Sequence, residues 1–207
     1  MSDLTLYHAA RSRSASVLWM LEEIGESYKL ELFRFDDGSL KQPEYLAINP
    51  MGKVPALKHN GAVITESAAI CCYLADAFPK AKLNIPIGDP RRGIYLKWLF
   101  FGPSCLEPAM IDAMLKREPG DKSAIGWGNL ELVLATIAKA IAPGPYLFGE
   151  QFTAADLLIG GGLRYGMMTK AIPIRPEFSA YAQRLGDRPA AKRAGAKDRE
   201  IVEAQKK

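Results

Sequence analysis

The feature that most constrains the fold of this chain is a change of pattern about 80 residues from its start. Before Pro79, short runs of β-branched and aromatic residues alternate with segments whose apolar residues recur at helical spacing. After Pro90 the strand-like runs disappear and only the helical spacing continues. The stretch between them carries three prolines and Gly88, which is typical of a linker. The predicted organisation is an α/β domain over residues 1–79, a linker over 80–88 and an all-helical domain over 89–207.

The first domain has the element order β-α-β, a connector, and then β-β-α. Asn60-Gly61 is a strong signal for a tight hairpin, so the last two strands are predicted to be antiparallel. The first two strands are separated by a helix, which is the crossover that a parallel pair requires. Strands are predicted at 4–7, 28–35, 54–58 and 62–64, helices at 12–24 and 66–78, and a short helix or turn at 43–48.

The second domain reads as helices only. Thr153-x-x-Asp156 is a capping box, in which the carboxylate reaches back to the first amide of the helix. This motif predicts a structural role for Asp156 rather than a catalytic one. Helices are predicted at 93–115 with a break at Gly102-Pro103, and at 123–141, 153–168, 177–185 and from 190 onward.

Composition and charge exclude several classes of protein. With 48% hydrophobic and 24% charged residues, a chain of 207 residues can bury a core without disulfides. There is no apolar run of about 18 residues and no apolar core of a secretory signal, so we expect no membrane association and a cytoplasmic location. The net charge of +4 comes entirely from residues 188–207, which predicts a solvated basic tail rather than a nucleic-acid-binding face.

The few cysteines and histidines argue against a disulfide framework, a metal site and a catalytic triad. Two of the three cysteines, Cys71 and Cys72, are adjacent, which does not suit a disulfide framework. With only His8 and His59, we expect neither a metal site nor a Ser-His-Asp triad.

Several motifs follow one another along the chain. They are Leu6-Tyr7-x-x-x-x-Ser12-Arg13-Ser14, the run from Val17 to Gly25, the loop from Asn49 to Leu57, Ile64-Thr65-Glu66-Ser67-x-Ala69-Ile70, Phe152-Thr153-x-Ala155-Asp156 and Arg188-Pro189. In their order and spacing these motifs resemble the glutathione transferase family over about residues 4–195. The resemblance implies a thioredoxin-like α/β N-terminal domain, an all-α C-terminal domain and a bacterial-type member of the serine or theta-like branch.

Thiol activation has three candidate residues. A free thiol has a pKa of about 8.5, and a helix N-terminus or a nearby cation can lower it to roughly 3.5–7.5. Ser12 and Arg13 precede a predicted helix, where the amides and the dipole favour an anion. The resemblance places Ser12 where serine-type members carry their catalytic hydroxyl, and Tyr7 where tyrosine-type members carry theirs. We favour Ser12 with Arg13 assisting, and Tyr7 is the alternative.

The resemblance also implies the residues that hold glutathione. Val54, before the cis proline expected at Pro55, would pair with the cysteinyl part through its backbone. Ser67 would bind the γ-glutamyl carboxylate and Glu66 its amine. Lys41 and Lys53 are the candidates for the glycine carboxylate.

The predicted function is a glutathione transferase that conjugates glutathione, its cosubstrate, to hydrophobic electrophiles as a cytoplasmic homodimer in detoxification. We expect no metal and no nucleic-acid partner. Peroxide reduction, dehalogenation and isomerisation on the same scaffold are alternative activities. A non-catalytic binding or regulatory protein is an alternative of another class.

Overall fold

The first part of the chain folds around a mixed four-stranded sheet. The computed structural model describes residues 3–117, 120–121 and 123–206. The sheet has the order β2-β1-β3-β4, with β1 parallel to β2 and antiparallel to β3, and β3 antiparallel to β4. The parallel pairing of β1 with β2 and the antiparallel pairing of β3 with β4 are those predicted from the element order. The strands are β1 (Leu4–Ala9), β2 (Lys29–Phe33), β3 (Ala56–His59) and β4 (Ala62–Thr65).

Helices α1 (Ser14–Ile24), α2 (Pro43–Leu46) and α3 (Ser67–Ala77) accompany the sheet. Helix α1 supplies the crossover between the parallel strands and buries Val17, Leu18 and Leu21. It ends at Gly25, whose left-handed backbone (φ 79°) lets its amide close on the Leu21 carbonyl. Helix α1 packs against β1, so these buried side chains cover the sheet.

The helical part contains α4 (Arg92–Phe101), α5 (Glu107–Met114), α6 (Leu130–Ile141), α7 (Ala154–Met168) and α8 (Pro176–Gly186). The predicted break at Gly102-Pro103 is instead a π-helical segment, Gly102–Leu106, that joins α4 to α5. Proline has no N–H to donate, and the wider turn absorbs the missing bond. None of the described helices is both long and apolar enough to cross a bilayer.

Helix α6 begins later than predicted. The predicted start at Ser123 is wrong, because the Asn129 side chain accepts the amide of Leu132 at 2.9 Å and caps the helix there.

The capping box of α7 is confirmed, and Asp156 is a structural anchor. Its Oδ2 accepts hydrogen bonds from the Thr153 amide at 2.8 Å and the Thr153 hydroxyl at 2.9 Å. Its Oδ1 accepts from the Leu147 amide at 2.7 Å and the Tyr181 hydroxyl at 2.8 Å. Burial raises the pKa of Asp156, and these hydrogen bonds offset part of that rise.

The basic C-terminal segment is not a solvated tail. It forms helix α9 (Pro189–Ala204), which packs against α1. Arg188 donates to both oxygens of Glu23, at 2.6 and 2.8 Å. The chain accordingly packs as two units, one of residues up to Ala81 together with those from Arg188 onward, and one of Lys82–Asp187. The predicted domain of residues 89–207 thus differs from the observed units, because helix α9 belongs to the unit that contains the sheet.

Glu22 is the centre of the contact between α1 and α9. It is 8% exposed and accepts hydrogen bonds from Tyr28, Arg193 and Lys197. Burial by itself would raise the pKa of Glu22, but these bonds outweigh it and lower that pKa to about 2. The carboxylate therefore stays ionised throughout the neutral range and keeps α9 in place.

Candidate active site at one end of the sheet

Three segments identified from the sequence meet at the same end of the sheet. In the antiparallel ladders Tyr7 pairs with Ala56, and Ala56 pairs with Thr65. The same end of the sheet therefore carries the turn after β1, the Val54-Pro55 step before β3 and the Glu66-Ser67 step after β4. Sheet topology thus brings together residues that are far apart in the sequence.

Ser12 lies half-buried in the turn between β1 and α1. Its Oγ accepts the Ser14 amide at 3.1 Å and lies 2.6 Å from the Ser14 Oγ. Arg13 is exposed at the N-cap of α1. The first amides of α1 are hydrogen-bonded within the turn, Ser14 to the Ser12 Oγ, Ala15 to the Ser12 carbonyl and Ser16 to the Arg13 carbonyl, and they carry the positive end of the helix dipole. This turn can therefore stabilise an anion placed beside Ser12.

Ser14 does not cap α1 but begins it, and its hydroxyl points back to the sheet. The Ser14 Oγ lies 2.7 Å from His8 Nδ1 and 3.1 Å from the Ala9 carbonyl. The preceding turn is fixed at Arg11, which has a left-handed backbone (φ 57°) and donates its amide to Asp198 Oδ2 at 3.2 Å. Both the sheet and helix α9 therefore hold the turn that carries Ser12.

Tyr7 is placed in an aromatic cluster. Its ring centroid lies 6.3 Å from that of Phe33 and 5.9 Å from that of Tyr45. Burial, with a smaller contribution from the Glu31 charge, raises the pKa of Tyr7. A phenol with a raised pKa is a weaker hydrogen-bond donor to a thiolate than an ordinary one, and the packing accounts for an aromatic residue here.

The Val54-Pro55 peptide bond is cis and buried. Val54 packs with Ala9 in a small apolar cluster. The Lys53 carbonyl accepts the Tyr45 hydroxyl at 2.6 Å and the Asn49 side-chain amide at 2.8 Å. These two bonds hold the loop in place, so that the Val54 backbone has a fixed position beside the first residue of β3.

The two candidate lysines belong to the same region. Lys41 donates from Nζ to the Met51 carbonyl at 3.2 Å, which places its ammonium over the loop. Lys53 is exposed immediately before Val54. Both can place positive charge beside the Val54 backbone, and the geometry does not choose between them.

Glu66 and Ser67 form the start of α3. Glu66 is exposed and has a left-handed φ of 68°, a strained conformation for a residue with a side chain. Its carbonyl accepts the Ile70 amide at 2.9 Å, and Ser67 is the first helical residue. Strain of this kind clusters at ligand-binding sites. The first amides of α3, which have no acceptor within the helix, and the Ser67 hydroxyl suit a carboxylate.

Sequence reasoning missed His8 and Asp198. One signal was available for the first of them, since His8 shares a strand face with Leu4 and Leu6, and all three are at most 1% exposed. A histidine in such a position must find polar partners. No local signal could identify Asp198, which lies 190 residues away on α9.

Comparison with known proteins identifies the family. Residues 2–76 match the model of the glutathione S-transferase N-terminal domain. Glutathione S-transferase 2 of Schizosaccharomyces pombe is 32% identical over 217 aligned positions, covering 93% of this chain and 94% of the relative. The chain belongs to the glutathione S-transferase family. GstA of Escherichia coli O157:H7, also named a glutathione S-transferase, is 29% identical over 70% of this chain and 74% of its own.

Solved structures in the family share the fold. BphK, a bacterial GST solved as a ternary complex, has a TM-score of 0.79 at 28% identity, over 94% of this chain and 98% of its own. The glutathione transferase URE2P6 from Phanerochaete chrysosporium, solved with oxidized glutathione, has a TM-score of 0.80 at 26% identity, over 97% and 98% of the two chains. The predicted family, the transferase assignment and the α/β thioredoxin-like fold followed by helices are confirmed. Among the described residues no cluster of histidine, cysteine or acidic side chains could hold a metal.

Gly52 offers a test of how tightly the loop before β3 is packed. It has a φ of +59°, and an added Cβ would lie 2.7 Å from the Leu40 carbonyl oxygen and 2.8 Å from Lys41 Nζ. Gly38 has a similar φ of +74° but open space around it. Gly52→Ala should therefore lower the free energy of unfolding by about 1–3 kcal/mol more than Gly38→Ala does, because overpacking adds to the same backbone strain. Urea unfolding of both variants measures the difference, and equal losses would contradict the packing described.

Proposed function

We propose that this family member binds glutathione along the described end of the sheet and activates its thiol for attack on hydrophobic electrophiles. The observation that carries the proposal is the convergence of the Ser12 turn, Val54 and the start of α3 at this end of the sheet. An extended peptide lying across it would place its thiol at the turn and its α-carboxylate at the helix. Related proteins have been solved with oxidized glutathione and with glutathione bound, which supports this choice of ligand.

Binding would use backbone and side-chain groups in turn. The Val54 backbone would pair with the cysteinyl residue in the manner of an added strand. Ser67 and the first amides of α3 would take the γ-glutamyl carboxylate, and the exposed Glu66 its amine. Lys41 or Lys53 would neutralise the glycine carboxylate. Every charged group of the tripeptide would then meet a complementary group.

Activation would rest on Ser12. Its hydroxyl lies at the N-terminus of α1 with exposed Arg13 beside it, so that a donor, a dipole and a cation act on one sulfur. Each unit by which the thiol pKa falls corresponds to about 1.4 kcal/mol of preference for the thiolate. In this proposal Tyr7 has a packing role in the aromatic cluster and does not contact the thiol.

The experiment that tests the proposal combines retention on immobilised glutathione with turnover of a generic aryl halide. Retention together with turnover is the expected result. Retention without turnover of any electrophile would favour the binding or regulatory alternative. Failure to retain would contradict the glutathione site itself.

Ser67→Ala tests the carboxylate contact. The variant should weaken glutathione binding by about 1–3 kcal/mol, because a charged partner loses a hydrogen bond. Calorimetric titration measures the loss, and Ser179→Ala, a serine on α8, is the control in which affinity is expected to stay unchanged. Equal affinities for the two variants would remove Ser67 from the site.

The homodimer, the cytoplasmic location and the detoxification role stay predictions. In the helical unit, α4 and α5 leave Ile94, Phe100 and Met114 about half exposed, at 53%, 45% and 48%. Exposed apolar side chains of this kind support a second copy of the chain as partner. Light scattering should give about twice the 22.7 kDa of the chain. A particle of monomer mass at all concentrations would contradict the dimer.

A further inference from the structure

A chain of hydrogen bonds runs inward from the turn that carries Ser12. The Ser12 Oγ lies 2.6 Å from the Ser14 Oγ, which lies 2.7 Å from His8 Nδ1. On the other side of the ring, His8 Nε2 lies 3.1 Å from Asp198 Oδ1. The chain connects the half-buried Ser12 hydroxyl to a carboxylate on the last helix through two fully buried side chains.

The chemistry of the partners determines the direction of each bond. Burial would raise the pKa of Asp198, but hydrogen bonds from His8 and from the Arg11 amide outweigh it, so Asp198 is ionised and only accepts. The proton of a neutral His8 is therefore on Nε2, and Nδ1 is an acceptor. The hydroxyl hydrogen of Ser14 then has two acceptors within reach, Nδ1 at 2.7 Å and the Ala9 carbonyl at 3.1 Å, and it is directed to the nearer one, Nδ1. Ser14 can only accept from Ser12, whose own hydrogen points inward.

This resting arrangement leaves Ser12 facing outward as an acceptor. Its hydrogen is given to Ser14, and it already takes the Ser14 amide at 3.1 Å. In this state it cannot donate to a thiolate. It can, however, accept the proton of a thiol that lies beside it.

We propose that His8 is the base that takes the proton of the glutathione thiol through the hydroxyls of Ser12 and Ser14. The S–H bond breaks and its proton goes to the Ser12 oxygen. Ser12 passes its own hydrogen to the Ser14 oxygen, and Ser14 passes its own to His8 Nδ1. The products are a thiolate, two neutral hydroxyls and an imidazolium, so atoms and charge balance without any further reactant.

The transfer reverses each hydrogen bond in the chain. Ser12 now carries the hydrogen that came from sulfur and donates it back to the thiolate, which is the role assigned to it under the proposed function. The imidazolium donates to Ser14 through Nδ1 and to the Asp198 carboxylate through Nε2. In this inference, which rests on the proposed function, a single relay both forms the thiolate and orients its donor.

The groups that face His8 suit a base. Helix α1 contributes the hydroxyl of Ser14, and helix α9 contributes the carboxylate of Asp198. The charge of Arg11 acts on Asp198 together with its amide. On the neighbouring strand β2, the residue paired with His8 is the apolar Leu32. The relay therefore ends at the pair formed by His8 and Asp198.

The inference is tested in the unmodified protein by counting protons. Glutathione and S-methylglutathione are titrated calorimetrically at neutral pH in buffers of different ionisation enthalpy, and the ultraviolet absorbance of the thiolate gives the fraction formed. The difference between the ligands isolates the thiol proton. Thiolate should form with almost no proton released to the buffer. Release of one proton per thiolate formed would overturn the relay and leave the proposed function intact, whereas no saturable binding would overturn the proposed function.

Nuclear magnetic resonance of the imidazole nitrogens gives a second measurement. The chain has only His8 and His59, and His59 lies elsewhere in the sheet unit, with Nδ1 2.8 Å from the Tyr73 hydroxyl. Glutathione should convert His8 from the neutral ring to the imidazolium, S-methylglutathione should not, and His59 should respond to neither. A His8 ring that stays in one protonation state through both titrations would overturn the relay.

Two variants separate the relay from a structural role. Asp198→Asn keeps the size of the side chain and an acceptor for Nε2–H, but removes the charge that stabilises the imidazolium. It should raise the pKa of bound glutathione by about one unit with little change in affinity for S-methylglutathione. Glu203→Gln, which removes a charge from an exposed position on the same helix, should leave that pKa unchanged. Equal pKa values in the two variants would overturn the assignment of Asp198.

Discussion

Ser12→Ala should slow conjugation at neutral pH on the order of 10²-fold, the loss usual for one preorganised donor at an anion. The hydroxyl is the group of the turn that can both receive the thiol proton and donate to the thiolate. Without it, the thiol must ionise by transfer to solvent, and the effect should shrink as pH rises because bulk base then supplies the thiolate. Steady-state rates across a pH series measure both features.

Controls distinguish the hydroxyl from its surroundings. Ser16→Ala, two residues beyond Ser14 in α1, should leave the pH profile unchanged. Tyr7→Phe should have little effect, because the Tyr7 ring packs with Phe33 and Tyr45. A large loss in Tyr7→Phe would instead make Tyr7 the catalytic hydroxyl. A loss confined to Arg13→Ala would assign the activation to the cation and the helix N-terminus.

Asp156→Ala should cause the largest loss of stability, about 3–5 kcal/mol. The variant leaves two amides and the hydroxyls of Thr153 and Tyr181 without their acceptor in a fully buried place. Buried donors that lose their partner retain the whole penalty of desolvation. Denaturant unfolding of the variant should show the loss, with catalytic parameters of the remaining folded protein little changed.

Asp112→Ala is the matched control. Asp112 also accepts two side-chain donors, Arg117 at 3.2 Å and Trp127 at 3.0 Å, but it is 28% exposed. Water can replace its bonds, so the expected loss is about 1 kcal/mol or less. Similar losses in the two variants would show that Asp156 does not anchor α7 as described.

The parallel pair and the hairpin of the sheet could be predicted because they depend on local signals. Alternation fixes the buried face of β1, Asn60-Gly61 marks the hairpin, and the crossover rule sets the parallel pair. Once the strand order is known, the Ser12 turn and the Glu66-Ser67 step must lie at the same end of the sheet. The backbone strain at Glu66, with its φ of 68°, had no sequence signal, because a glutamate gives no indication of a left-handed conformation.

The position of α9 could not be predicted from local pattern. A segment with a charge excess resembles a solvated tail unless its partner is known. Here the partners are Glu22 and Glu23 on α1. They pair with basic side chains that lie more than 160 residues away in the sequence. Asp198 escaped notice for the same reason, since its partner His8 lies 190 residues away, whereas His8 could have been noticed on the apolar face of β1.

The ultraviolet titration of bound glutathione tests the central claim most directly. We expect the thiol pKa of glutathione bound to the unmodified protein to lie well below the value of about 8.5 for a free thiol. It should rise towards that value in Ser12→Ala and stay unchanged in Tyr7→Phe. An unshifted pKa in the unmodified protein, or a rise in Tyr7→Phe but not in Ser12→Ala, would contradict the account.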